Sequence, residues 1–183
     1  HKMYTLLLVD DEEDVIEVIE RKVSWEQIGF HVVGHAGNGF KALEMMEDMQ
    51  PDVVMTDIRM PYMDGLELCS NIRQRFPATK LLLFTGFDDF EYAKEAVHLE
   101  IEEYILKPLN LAEITEVFKK LKTKLDDELN EKKNTDILKQ YYAASLPVLQ
   151  SNFYTTLIEG RIPENELGRY MRDYKIVLEG PYY

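Results

Sequence analysis

Five times in the first two thirds of the chain, a short apolar run of strand length gives way to an apolar pattern at helical spacing, and that alternation confines the fold to a parallel α/β sheet. The strand-like runs are Tyr4-Thr5-Leu6-Leu7-Leu8-Val9, His31-Val32-Val33-Gly34-His35-Ala36, Val53-Val54-Met55, Lys80-Leu81-Leu82-Leu83-Phe84 and Tyr104-Ile105-Leu106. Between them, Val15, Ile16, Ile19 and Val23 mark a first helix with acids in its first turn, and Ala42, Leu43, Met46 and Met49 a second opened by Gly37-Asn38-Gly39. Leu66, Leu68, Cys69 and Ile72 mark a third begun by Asp64-Gly65, and Phe90, Ala93 and Val97 a fourth capped by Asp88 or Asp89. A fifth begins at Asn110. Trp25, Ile28 and Phe30 read as core packing in a connection, and the methionines as a helix face.

Right-handed crossovers place helices on both faces of such a sheet, so the expectation is a doubly wound (βα)5 sheet in the flavodoxin-like order 2-1-3-4-5. Chemistry in an open α/β sheet collects at the carboxyl ends of the strands. The residues there are Asp10-Asp11, Asp57, Thr85-Gly86 and Lys107-Pro108. Three carboxylates in one pocket repel, each pair about 4 Å apart by roughly 4 kcal/mol at an effective dielectric near 20, unless a cation sits among them. Hard oxygen donors suit Mg²⁺, held by Asp10, Asp11, Asp57 and a backbone carbonyl at Arg59. Asp57 can then act as nucleophile toward a phosphoryl donor, with Lys107 neutralising charge on the equatorial oxygens and Thr85 donating a hydrogen bond. Singly, Asp10-Asp11 is a helix cap, Thr85 a turn residue and Lys107 a solvated lysine; the coincidence of four strand ends makes them a site.

The fifth helix carries Ile114, Phe118, Leu121, Leu125 and Leu129 at coiled-coil spacing, and Ile137, Leu138, Tyr141, Tyr142 and Leu146 resume the stripe after a polar stretch. This is either a dimer seam or a helix folded back on its own domain, the dimer being preferred. Ser145-Leu146-Pro147 reads as a helix break and restart, and Pro163 to Tyr174 as a further short helix. The expected organisation is 3–122 as the main domain, 123–146 as an extended linker helix, and 147–183 as a helical segment leading to a downstream region. His1-Lys2 ahead of Met3 is expected to be a cloning remnant, and the apolar ending Ile176 to Tyr183 a cut inside a longer protein.

A net charge of −13 argues against nucleic acid, membrane or another polyanion as a direct partner. The single Cys69 excludes an intrachain disulfide, and no apolar run is long enough for a signal peptide or a bilayer span, so a soluble cytoplasmic protein is expected.

Val9-Asp10-Asp11-Glu12, Asp57-Ile58-Arg59-Met60-Pro61-Tyr62-Met63-Asp64-Gly65, Thr85-Gly86-Phe87 and Tyr104-Ile105-Leu106-Lys107-Pro108 together resemble the receiver domain of two-component response regulators, over about residues 3 to 122. The resemblance implies that Asp10 and Asp11 bind Mg²⁺ and that Asp57 accepts phosphate from a sensor histidine kinase. It also implies that Lys107 precedes a cis Pro108, and that Thr85 and Tyr104 rearrange together on phosphorylation. More loosely, Phe87 to Ala93, Leu146-Pro147-Val148-Leu149 and Leu157 to Arg161 look like regulators joined through a helical segment to an AraC-type DNA-binding domain. A homodimer that controls transcription through such a downstream domain is the implied output, with no enzymatic activity beyond self-phosphorylation and self-dephosphorylation.

Three other readings compete. Gly37-Asn38-Gly39-Phe40-Lys41-Ala42 followed by Asp57 imitates a dinucleotide-binding fingerprint, but an oxidoreductase leaves Asp10-Asp11, Thr85 and Lys107 unexplained. A haloacid-dehalogenase-type hydrolase needs an Asp-x-Asp nucleophile motif that Asp10-Asp11-Glu12 lacks. A receiver can also serve as an interaction module without DNA binding.

Overall fold

The computed structural model describes residues 2–176. Five parallel strands, β1 (Tyr4–Val9), β2 (Phe30–Ala36), β3 (Val53–Asp57), β4 (Lys80–Thr85) and β5 (Glu103–Leu106), form one sheet in the order β2-β1-β3-β4-β5. This is the flavodoxin-like order expected from the alternation. The central strand β3 is buried at every residue, as a parallel strand covered on both faces must be.

One face is covered by α3 (Gly39–Met49) and α4 (Gly65–Arg75), where Met46, Leu68, Cys69 and Ile72 meet Leu7, Val54, Leu81 and Leu83. The other is covered by α1 (Glu13–Lys22), the short α2 (Trp25–Ile28) and the first turns of α6 (Leu111–Ile158). There Trp25, Phe30 and Phe118 stack edge to face, with Trp25 and Phe118 centroids 4.7 Å apart, and Trp25 Nε1 donates to the Ile19 carbonyl at 3.1 Å. Each fully buried aliphatic or aromatic side chain contributes about 1.5–3 kcal/mol. Two helix starts follow their sequence signals: Asn38 Oδ1 accepts from Lys41 N and Asp64 Oδ1 from Glu67 N, both at 2.8 Å.

Several expectations fail locally. The fourth helix is broken into a 3₁₀ turn (Phe87–Asp89), a five-residue α5 (Phe90–Lys94) and a second 3₁₀ turn (Val97–Leu99). Asp89 stands at the N-cap position of α5 but its side chain makes no cap bond, being committed to Arg59; Val97 is exposed although Ala93 is buried. The chain then turns at Glu100 in the left-handed region, where the Arg73 guanidinium gathers the carbonyls of Leu99 and Glu100 at 2.9 and 3.2 Å. The Ile114, Phe118 and Leu121 part of the apolar stripe is core of its own domain, not a free seam.

The break expected at Ser145-Leu146-Pro147 does not occur either. Pro147 lies inside α6. The chain divides into two compact units, His1–Leu125 and Asp126–Tyr183. In the second, α7 (Glu164–Asp173) follows α6; the Tyr142 hydroxyl donates to the Asp173 carbonyl, Gln150 Nε2 to the Tyr174 carbonyl at 2.9 Å, and buried Phe153 lies against Tyr170 and Tyr174. The expectation about the chain's ending falls mainly on residues 177–183, outside the described residues.

Gly65 is where the fold most tightly constrains the sheet edge. A Cβ there would stand 2.1 Å from the Asp57 carbonyl oxygen, a backbone atom with no freedom to move aside. Gly65→Ala should therefore lower the melting temperature by several degrees, a cost of about 1–3 kcal/mol in thermal unfolding, whereas Gly37→Ala, where an added Cβ meets nothing within 4 Å, should cost much less.

Candidate functional site

Asp10 follows β1 with its N–H still bonded to the Ala36 carbonyl at 3.1 Å, so the sheet ladder holds it in place; it is buried while Asp11, one residue on, is exposed. Asp10 Oδ1 accepts from Glu12 N at 2.9 Å, an Asx turn that leads into α1. Asp57 is the last residue of β3 and is 3 % exposed. One carboxylate oxygen from each of Asp10, Asp11 and Asp57 lies within 4.8 Å of the others. Lys107, one residue past β5, sets its Nζ 3.2 Å from Asp57 Oδ1 and 5.3 Å from the Phe84 ring centroid.

Burial raises the Asp10 carboxyl to about 6; Asp57 and Asp11 push it the same way, while the Glu12 N–H and Lys107 oppose. Asp57 is raised for the same first reason, burial, and Lys107 holds it down. The pocket thus has more buried negative charge than one ammonium neutralises. Clustered carboxylate oxygens are the hard donor set that suits a divalent cation such as Mg²⁺.

Thr85 ends β4, fully buried, with its hydroxyl donating to the Gly86 carbonyl at 3.0 Å. Tyr104 on β5 is half-buried; its hydroxyl donates to the Ala93 carbonyl at 3.4 Å and its ring meets Phe90 edge-on at 6.0 Å. Burial raises the Tyr104 phenol above its ordinary value. The Lys107–Pro108 peptide is cis.

The Arg59 side chain leaves this cluster. Its Nε donates to Asp89 Oδ1 at 2.8 Å, and the bond holds the Asp89 carboxyl below the usual carboxylate range. Nearby, the Tyr92 hydroxyl donates to Asp64 Oδ2 at 3.2 Å, and Ile58, Arg59, Met60, Asp64 and Tyr92 line a hollow between the β3–α4 loop and the segment after β4. Sequence reading missed Asp89 and Tyr92 as partners. The available signal was charge complementarity: an arginine two residues past one strand end and an acidic pair three and four past the next.

A family profile described as response regulator receiver domain matches residues 6–119. The transcriptional regulatory protein YesN of Bacillus subtilis, uncharacterized, is 37% identical over 137 residues, covering 75% of this chain and 37% of YesN. The transcriptional regulatory protein HptR of Staphylococcus aureus is 26% identical over 164 residues, covering 89% of this chain and 64% of HptR. The chain therefore spans less than two thirds of either relative. Among solved structures, the REC domain of AraT, a response regulator from Geobacillus stearothermophilus, superposes with a TM-score of 0.66 at 36% identity, covering 69% of this chain and 98% of that one. Among the described residues, no helix is long and apolar enough to cross a membrane.

The raised Asp10 carboxyl fixes the sign of a pH effect. Between the ordinary value of 3.8 and about 6 the folded protein holds a proton that the unfolded chain has lost, so stability falls as pH rises through that window. With divalent cations chelated, Asp10→Asn should raise the melting temperature by several degrees at pH 7.5, the penalty removed being at most about 3 kcal/mol, and by little at pH 4. Melting both proteins across that range in a chelating buffer checks it; a constant offset at every pH is the contrary result.

Proposed function

We propose, for a chain that belongs to the response regulator receiver domain family, that Asp57 accepts a phosphoryl group from a sensor histidine kinase and that the resulting switch controls transcription. The observation that carries this reading is the gathering of Asp10, Asp11 and Asp57 within 4.8 Å, with Lys107 3.2 Å from Asp57. An Asp57 carboxylate oxygen attacks phosphorus, the P–N bond to the kinase histidine breaks, and the imidazole nitrogen leaves with the electron pair. Asp10, Asp11, Asp57 and the Arg59 carbonyl would hold Mg²⁺, which when bound supplies positive charge to the transferring phosphoryl oxygens. Lys107 balances charge on the equatorial oxygens. Thr85 exchanges its bond to Gly86 for one to a phosphoryl oxygen, and Tyr104 gives up Ala93 as that space changes. Pro108 shapes the turn that presents Lys107.

The chain is then a phosphoacceptor switch, catalysing only its own phosphorylation and hydrolysis. Its working surface is α5, β5 and the first turns of α6. The reading divides the chain into a receiver at 3–122, a connecting helix at 123–146, and a segment at 147–183 leading to a downstream DNA-binding region; it works in the cytoplasm and as a homodimer. The exposed Ile137, Leu138, Tyr141 and Val148 on α6 are the support for the dimer. The names of the two curated relatives favour transcriptional output over a pure interaction module.

Incubation with Mg²⁺ and acetyl phosphate, followed by intact mass, should give one added phosphoryl group in the wild type, none in Asp57→Asn, and a rate reduced about tenfold or more in Lys107→Ala. Adduct on Asp57→Asn would overturn the acceptor assignment. Phosphorylation should also change the solution mass or the hydrogen exchange of residues 110–146, and Tyr141→Glu should shift the protein toward monomer by sedimentation.

A further inference from the structure

Proline at position 147 takes from α6 the N–H that the Ala143 carbonyl would accept, and its ring crowds that carbonyl. The turn from Ala143 to Pro147 is therefore where this helix most readily bends or ends. α6 nevertheless runs unbroken through it.

The end of α7 lies across this turn, and every carbonyl there is taken. Those of Tyr170, Met171 and Arg172 accept from Tyr174 N, Ile176 N and Lys175 N at 3.0, 2.8 and 3.2 Å. Lys175 is in the left-handed region and Ile176 is buried, so the chain wraps back onto the last turn of the helix. The next two carbonyls are taken by α6: the Tyr142 hydroxyl donates to Asp173, and Gln150 Nε2 donates to Tyr174 at 2.9 Å. Tyr142 stands five residues before Pro147 and Gln150 three residues after it. Two donors from opposite sides of the weak turn thus converge on adjacent carbonyls of one wrapped helix end. Buried Phe153 packs that end down, its ring 6.2 Å from Tyr170 and 6.3 Å from Tyr174. Either tie alone would hold α7 to one half of α6; the two together fix the halves against each other.

We propose that the end of α7 is a splint for α6. Docked, it holds the segments on either side of Pro147 at one angle; lifted off, it leaves α6 to bend between Ala143 and Pro147. The proline makes the device work, because with an ordinary residue there the backbone ladder would keep the helix straight with or without α7. A displacement of α7 is thereby converted into a change in the direction of α6. This holds whether or not Asp57 accepts phosphate.

The test measures the distance between nitroxide labels on Lys133→Cys and Thr155→Cys in the full chain by pulsed electron spin resonance; both sites are exposed, and buried Cys69 stays unlabelled. The native background should give a single narrow distribution near ~33 Å, the length of twenty-two helical residues. Tyr142→Phe with Gln150→Leu, which removes the two ties and keeps the rings, should broaden it toward shorter distances, and adding Pro147→Ala should make it narrow again. An unchanged distribution in the untied variant, or broadening that persists with Pro147→Ala, overturns the proposal. Hydrogen exchange gives a second reading. In the untied variant the amides of residues 144–151 should exchange about tenfold faster, with the rest of α6 and α7 within about twofold, and Pro147→Ala should restore protection. Acceleration spread evenly over α6 and α7 would mean that the ties hold the two helices together without splinting the turn, and would overturn the proposal.

Discussion

Two buried carboxylates, Asp10 and Asp57, share one sheet edge with one ammonium, and this imbalance of charge is what the surrounding structure exists to hold. Burial pushes both carboxyls upward, so the edge carries charge that the protein alone leaves under-neutralised. Two packed faces of aliphatic and aromatic side chains fix the strands beneath it. The stability stored in those layers is what lets the edge remain strained in charge without the domain opening.

The opposite edge of the same strands makes the contrast plain. Asp52, just before β3, accepts from Thr5 N at 2.9 Å and from Thr5 Oγ1 at 3.1 Å, and its own N–H is bonded to Thr5 Oγ1 at 3.0 Å. That carboxylate is satisfied within the fold and serves to join β1 to β3. Asp57, five residues later, has the Lys107 ammonium and two further carboxylates for neighbours. The same side chain at the two ends of one strand is a structural tie at one and a member of a crowded acidic cluster at the other, and its partners decide which.

Much of this was legible in the sequence because periodicity and strand ends are local. The alternation of apolar runs predicted the sheet and its order, and the carboxyl-end rule brought Asp10, Asp11, Asp57, Thr85 and Lys107 to one place. What failed to show was settled by long-range partners. Asp89 reads as a helix cap until Arg59, thirty residues earlier, is seen to take it. Pro147 reads as a break until Tyr142, Gln150 and Phe153 are seen to be tied to the segment around α7. The Ile114 to Leu121 stripe has coiled-coil spacing but is consumed by the core of its own domain, where Phe118 meets Trp25 and Phe30. Spacing fixes which residues share a helix face, and only the fold decides what that face meets.

We propose that the acidic edge carries an excess of negative charge that a bound Mg²⁺ would relieve. Calorimetric titration of the protein with Mg²⁺ in two buffers of different ionisation enthalpy measures the protons displaced on binding. With the Asp10 carboxyl near 6, binding at pH 6 should release about half a proton or more per ion, and at pH 8 almost none. Binding that releases no proton at pH 6, or that releases the same number at both pH values, would contradict the account.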